Sequence, residues 1–298
     1  DDGTGPLPRP VVSPEDVALL LLSGGTTGMP KLIARTHADY IYNFRASAEL
    51  CAVTAEDRYL AALPMAHNFP LGCPGILGTL DRGGAVIVPP SSAAEEAFES
   101  IAGHRATLTA LVPSLAALWL EASEWEQPDL SSLRLLQVGG AKLDAVAADR
   151  LASAFPCRLQ QVFGMAEGLL NFTRLDDAPE VIAATQGRPL CDADEVRIVD
   201  ERGRDVPAGE IGELLVRGPY TIRGYYRAAD YNRHAFTSDG FYRSGDRVRR
   251  LASGHLIVEG RIKDVINRHG ESIAADEIET CLRDHPAVRD AAVFADPQ

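Results

Sequence analysis

The stretch Ser23-Gly24-Gly25-Thr26-Thr27-Gly28-Met29-Pro30-Lys31 has the residue types of a phosphate cradle. Its glycines permit backbone conformations that turn successive N–H groups inward. Ser23, Thr26 and Thr27 add hydroxyl donors, and Lys31 adds a positive charge. A Walker A loop requires Gly-Lys followed by Ser or Thr. Here Lys31 follows Pro30 and precedes Leu32, so the hydroxyl that would hold Mg²⁺ beside the lysine is missing. On its own residues the loop is either a phosphate site or a flexible turn between strands. A second candidate position is Gly139-Gly140, which closes an apolar run. Glycines at a strand end are where open α/β sheets place ligands.

These residues need a frame to hold them. "DVALLLL" from Asp16 reads as a buried strand stopped by Ser-Gly-Gly. "SAAEEAFESIAG" reads as a helix with Ser92 as N-cap and Glu95 in the capping-box position. "LRLLQV" is a buried strand, a helix from about Asp144 to Phe155 follows, and "RLQQVF" is a further strand. Strands alternating with helices predict an α/β architecture. From about Cys191 the texture changes: two strands around turn-rich polar segments predict an antiparallel subdomain. Beyond Ser272, "IAADEIETCLRD" reads as a helix and "AVRDAAVFA" as a strand.

The chain has 298 residues, 46% hydrophobic and 24% charged, which fits a soluble globular protein with a sizeable core. No apolar run reaches the ~20 residues needed to span a bilayer, so no membrane partner is expected. The opening residues are acidic and rich in Pro and Gly, unlike a secretory signal. Five scattered cysteines form no C-x-x-C pair, so neither zinc nor a disulfide framework is indicated, and a reducing cytoplasm is the expected setting. The net charge of −13 argues against nucleic acid as a partner.

Six stretches in order resemble the core motifs of the adenylate-forming superfamily: "SGGTTGMPK", "PMAHNFPLGCPG", "LQVGGAKL", "QQVFGMAEG", "GFYRSGD" and "GRIKDVINRHGESI". That superfamily comprises acyl-CoA synthetases, firefly-type luciferases and the adenylation domains of nonribosomal peptide synthesis. The resemblance covers nearly the whole chain from about Val17. It implies the adenylate-forming fold, in part. Residues 17–190 would be the α/β part of a large N-terminal domain, with a mixed or parallel sheet and flanking helices. Residues 191–263 would be its β-rich subdomain, and 264–298 the hinge and start of a small C-terminal α+β domain. Residues 1–16 read as a linker or a cut end.

The implied reaction has two steps. A carboxylate attacks the α-phosphorus of ATP, giving an acyl-adenylate and pyrophosphate; a thiol then takes the acyl group. The resemblance implies that Ser23, Thr26, Thr27, Lys31 and the amides of Gly24, Gly25 and Gly28 hold the β- and γ-phosphates. Glu167 would contact the Mg²⁺ that accompanies ATP. Phe163 would stack on adenine, with Gly139, Gly140, Ala141, Val162, Gly164, Met165 and Val258 completing the nucleotide contacts. Asp246 would accept from the ribose hydroxyls, and Arg261 would lie near ribose and phosphate. Asp264 would be the hinge.

The version His67-Asn68-Phe69-Pro70-Leu71 is similar to stand-alone ligases that activate salicylate or 2,3-dihydroxybenzoate for siderophore assembly. An ortho-hydroxy aryl acid is flat and apolar with one polar edge, and suits apolar walls with a few placed polar groups. Asn68 supplies an amide to the carboxylate or hydroxyl, Phe69 and Leu170 supply walls, and His67 sits at the mouth as a positioning donor. Gly140 and Gly164 adjoin the same pocket. Where dihydroxybenzoate enzymes carry Ser and Val, this chain has Cys73 and Leu170, a poorer hydrogen-bonding group and a larger one. Both departures point to salicylate. The expected acceptor is the phosphopantetheine thiol of an aryl carrier protein. A dihydroxybenzoate ligase, an aryl-CoA ligase and a non-catalytic nucleotide-binding module are the alternatives. The family also has a preceding N-terminal portion and a late lysine bridging acid and α-phosphate. Neither is in these residues, so the segment is expected to be the centre of a longer enzyme and poorly active alone.

Overall fold

The computed structural model describes residues 11–23, 30–262, 265–268, 271–283, 285, 287–288 and 291–294. The loop residues Gly24, Gly25, Thr26, Thr27 and Gly28 and the expected hinge Asp264 lie outside the described residues.

The chain opens with an antiparallel hairpin of β1 (Val17–Leu22) and β2 (Leu32–Thr36). β1 was expected to be buried throughout, and it is not. Leu21 is buried with Ile33 against Tyr40 and Leu169, whereas Leu20 and Leu22 face outward, 44% and 68% exposed. A two-stranded hairpin covers one face only, so alternate leucines of a continuous apolar run stay outside. Thr36 then caps α1 (His37–Leu50) in a reciprocal capping box with Asp39.

A seven-stranded sheet follows. Its parallel part runs β4 (Ala85–Ile87), β3 (Arg58–Leu60), β5 (Leu108–Leu111), β6 (Leu135–Gly139) and β7 (Arg158–Gly164). Antiparallel β8 (Leu170–Phe172) and β9 (Arg188–Pro189) complete it. The central strands are apolar on both faces because both are covered. One face, including Leu111, Leu136 and Val138, packs on α4 (Ala94–His104), α5 (Pro113–Glu126), α6 (Ala145–Ala154) and α7 (Pro179–Ala184). The other, including Leu108, Ala110 and Leu135, packs on α1 and the short α2 (Asn68–Gly72), ahead of α3 (Gly75–Asp81). Each fully buried leucine contributes about 1.5–3 kcal/mol.

The second layer is the antiparallel sheet β10 (Glu195–Val199), β11 (Gly212–Arg217), β12 (Tyr242–Arg250) and β13 (Leu256–Arg261), with α8 (Ala229–Ala235) between β11 and β12. Beyond it come the hairpin β14 (Val265–Arg268) and β15 (Glu271–Ala274), then α9 (Ala275–Arg283). This is the expected α/β architecture with an antiparallel subdomain.

Two local expectations fail. The N-cap of α4 is Ala93, without a side-chain cap bond; the Ser91 hydroxyl accepts from the Ala93 N–H at 3.1 Å, one step too early for a capping box. The segment expected as a final strand is not one in its described residues 287–288 and 291–294. There the Val293 N–H bonds the Glu279 side chain at 2.8 Å instead of a neighbouring strand.

Candidate active site

The C-terminal ends of β6 and β7 lie side by side, with Gly139 opposite Val162. A Cβ on Gly139 would lie 2.3 Å from the Val162 carbonyl and 3.2 Å from Phe69 Cζ. Glycine there lets the Phe69 ring rest directly on the strand backbone. At the next strand end, a Cβ on Gly164 would lie 2.5 Å from Leu170 Cδ2. Phe69, Leu170, Cys73 and Val162 thus share one apolar cluster beside the two glycines.

α2 delivers the polar groups to this cluster. His67 is its N-cap: Nδ1 accepts from the Phe69 N–H at 3.3 Å. Its imidazole is partly covered, and that burial lowers its pKa. Asn68 is buried, and its Oδ1 accepts from the Tyr40 hydroxyl at 3.0 Å. That leaves Nδ2 facing Cys73 Sγ at 3.7 Å. Burial pushes the Cys73 thiol up to about 12, so it is a neutral member of the apolar cluster.

The residues expected on the nucleotide side sit at the end of β7 and on the turn that follows it. Phe163 is half-buried, its carbonyl held by Asn171 Nδ2 at 3.2 Å. Met165 accepts from the Gly168 N–H at 3.1 Å, closing the turn that presents Glu167. Gly168 has φ of +118°, and a Cβ there would strike Thr221 Cα at 2.5 Å. Glu167 is 8% exposed, and its Oε1 accepts from the Tyr225 hydroxyl at 2.6 Å. Tyr225 in turn lies 2.9 Å from the Tyr242 hydroxyl.

Asp246 stands on β12 opposite Arg261 of β13, with Arg261 Nε 3.1 Å from its Oδ1. Burial raises the Asp246 pKa, the nearby Glu167 adds to this, and Arg261 opposes it. Val258 lies on the same strand, its N–H bound to Gln186 Oε1 at 2.9 Å. Gly140 and Ala141 are exposed beyond the end of β6. At the described edges of the glycine loop, the Ser23 N–H donates to the Lys31 carbonyl at 2.9 Å and the Lys31 N–H to Ser23 Oγ at 3.0 Å. Lys31 Nζ lies 3.9 Å from the centre of the Tyr231 ring.

One buried cation ties the halves together. Arg35 pairs with Asp39 at 2.8 Å and donates to the carbonyls of Ala166 at 2.8 Å and Tyr220 at 3.1 Å. Tyr220 donates to Asp194 at 2.7 Å and receives the Leu170 N–H at 3.1 Å.

Among the described residues, no group of three or more His, Cys, Asp or Glu is placed to hold a metal alone. Glu167 still suits Mg²⁺. With Oε1 bound to Tyr225, Oε2 has no hydrogen-bond partner among the described residues. Mg²⁺ is typically held by one or two carboxylates together with substrate phosphates.

Residues named from sequence therefore fall into two touching groups: Asn68, Phe69, Cys73, Gly139, Gly164 and Leu170, and Phe163, Glu167, Asp246 and Arg261. Tyr40, Arg35, Tyr225 and Tyr242 were not anticipated. Tyr242 lies in the quoted motif GFYRSGD and Tyr225 in a cluster of tyrosines around Gly224, neither of which carries meaning until the partners are known. His255, given no role from sequence, is a buried structural residue 2.9 Å from Asp177.

A family model described as AMP-binding enzyme matches residues 1–226. A salicyl-AMP ligase/salicyl-S-ArCP synthetase of Mycobacterium tuberculosis is 57% identical over 295 residues, covering 99% of this chain and 52% of the relative. A 2,3-dihydroxybenzoate-AMP ligase of Bacillus subtilis is 56% identical over 292 residues, covering 98% and 54%. The apo structure of MbtA from Mycobacterium smegmatis superposes with a TM-score of 0.84 at 56% identity, covering 100% of this chain and 56% of that one. The chain spans about half the length of the curated relatives it matches.

Proposed function

Because the chain belongs to the AMP-binding enzyme family, we propose that it forms the acid- and nucleotide-binding core of an ATP-dependent aryl acid–AMP ligase. The carrying observation is the contact of the two residue groups. The buried side chains of Phe69 and Leu170, packed over Gly139 and Gly164, adjoin the turn that bears Glu167.

In this reading the aryl ring lies between Phe69 and Leu170. Asn68, its carbonyl oxygen occupied by Tyr40, turns its amide donor to the acid's polar edge. The carboxylate oxygen attacks the α-phosphorus, the bond to the bridging oxygen of the β-phosphate breaks, and pyrophosphate leaves. Such a displacement depends chiefly on positioning and charge neutralisation. Phe163 stacks on adenine, flanked by Gly140, Ala141, Val162, Gly164, Met165 and Val258. Asp246 accepts from ribose hydroxyls, and Arg261, already paired with it, reaches toward ribose and phosphate. The loop 23–31 holds the departing phosphates. Mg²⁺, held by Glu167, would neutralise phosphate charge. His67 donates at the pocket mouth, and Asp264 serves as the hinge to the smaller domain.

Cys73 and Leu170 favour salicylate over 2,3-dihydroxybenzoate. Relatives named for each acid are almost equally similar, so the preference rests on these two side chains. The acyl group passes to a carrier-protein phosphopantetheine thiol, in siderophore assembly. Pyrophosphate exchange with the two acids, measured on the whole gene product, tests the reading. Salicylate-dependent exchange is expected; a clear preference for dihydroxybenzoate overturns the salicylate assignment. Absence of exchange with any aryl acid overturns the ligase.

A further inference from the structure

Among the described residues, the Glu167 carboxylate is held by one side-chain hydroxyl, that of Tyr225. Tyr225 lies in the segment between β11 and α8, far from the Glu167 turn in sequence. Asn232 of α8 grips its backbone from both sides: Oδ1 accepts the Tyr225 N–H at 2.8 Å, and Nδ2 donates to the Tyr225 carbonyl at 3.0 Å. The ring is boxed edge-on by Tyr231 at 5.3 Å and by Tyr242 at 6.3 Å. With backbone and ring both fixed, the hydroxyl has one position.

Its hydrogen-bond polarity is fixed as well. The Tyr225 proton is spent on Glu167 Oε1. The phenol oxygen can then only accept, so the Tyr242 hydroxyl at 2.9 Å must donate to it. Tyr242 to Tyr225 to Glu167 is one directed chain, and each bond polarises the next. Tyr242 begins the strand that carries Asp246 four residues later. The chain therefore sets the Glu167 carboxylate against the strand that bears the proposed ribose contact.

We propose that Tyr225 is a positioning residue that locks Oε1 of Glu167 and aims Oε2 at the cation carried by ATP. The proposal rests on the reading of Glu167 as the Mg²⁺ carboxylate. It concerns no bond made or broken; Tyr225 acts on the metal only through Glu167.

The test uses Mn²⁺ as a paramagnetic probe, titrated into the whole gene product with a non-cleavable ATP analogue and followed by electron paramagnetic resonance. Wild type, Tyr225→Phe and Glu167→Gln are compared. Tyr225→Phe keeps the ring, and thermal unfolding reports whether it stays folded. Removing a partner that orients a metal ligand typically costs 10–100-fold in metal affinity, so Tyr225→Phe is expected to weaken Mn²⁺ by about ten-fold. Affinity for the analogue without metal stays unchanged. Tyr242→Phe, which leaves the Glu167 contact but removes the donor behind it, weakens Mn²⁺ by about two-fold. If Glu167→Gln weakens Mn²⁺ while Tyr225→Phe and Tyr242→Phe do not, the positioning role is overturned and the metal reading stands. If Glu167→Gln has no effect, the metal reading falls and the proposal with it. Equal loss of metal-free analogue binding in Tyr225→Phe would reveal a merely structural role and overturn the proposal.

Discussion

Replacing Arg35 by Met tests a fully buried cation with three hydrogen-bond partners. Arg35 is fully buried. Its guanidinium pairs with Asp39, donates to the Ala166 and Tyr220 carbonyls, and lies 4.7 Å from the centre of the Tyr40 ring. Methionine keeps most of the aliphatic volume, so the cavity term is small. What is lost is polar satisfaction: two buried carbonyls lose their side-chain donor and Asp39 loses its counter-ion. Asp39 keeps the Thr36 N–H at 2.8 Å, so the start of α1 survives. Breaking a buried pair by removing one partner costs about 3–5 kcal/mol. The expected result for Arg35→Met is a loss of that size in urea unfolding followed by circular dichroism, with the urea slope unchanged. In the double variant with Asp39→Asn the losses should not add, with about 2 kcal/mol of coupling. A loss below about 1 kcal/mol, or strict additivity, would refute the reasoning: the cost of desolvating the guanidinium would then cancel its bonds.

Further outcomes are expected at other sites. Burial alone would raise the pKa of Asp57, but the Arg134 fork, the Thr54 N–H and the Thr107 hydroxyl outweigh it and hold it below the ordinary carboxylate value. A depressed folded pKa contributes stability that is present above about pH 4 and is lost as pH falls through the lower folded value. Asp57→Asn should flatten that part of an acid-unfolding profile; an unaltered profile would contradict it. Cys73→Ser with Leu170→Val should shift the exchange-rate ratio toward 2,3-dihydroxybenzoate by about ten-fold, and no shift would remove these side chains as selectors. Asp246→Ala should weaken ATP by about ten-fold in calorimetry while sparing salicylate, and equal affinity would exclude the ribose contact.

Much of the frame was readable because its signals are local. The apolar runs of β6 and β7 and the helix expected from about Asp144 depend on neighbours in sequence, and they fold as expected. The failures share a cause. The leucines of β1 look the same whether or not anything covers their outer face, and only the three-dimensional partner decides. Ser91 and Ser92 offer two similar cap positions, and the Trp119 indole takes the Ser92 carbonyl at 3.3 Å, a contact no local pattern contains. Glu167, Asp246 and its partner Arg261 were named through motif resemblance, but the tyrosine that holds Glu167 was not. Tyr225 is 58 residues from Glu167, and Arg35 is 131 residues from Ala166. Such pairings exist only after folding, so a local pattern marks the chemical group and misses its support.

The two sheets are also joined by a seam of buried amides. Gln161 of β7 donates to the Ile182 carbonyl at 2.6 Å and accepts from Gln186 Nε2 at 3.1 Å. Gln186 takes the Val258 N–H through its side chain and donates its own N–H to the Leu256 carbonyl at 2.9 Å. Strands β7 and β13 are therefore riveted by the buried amides of Gln161 and Gln186. The span between the strands that carry Phe163 and Asp246, the proposed adenine and ribose contacts, is thereby a fixed gauge. Amide protons along this seam should exchange with solvent among the slowest in the protein, and any large swing of the chain must pivot downstream of it.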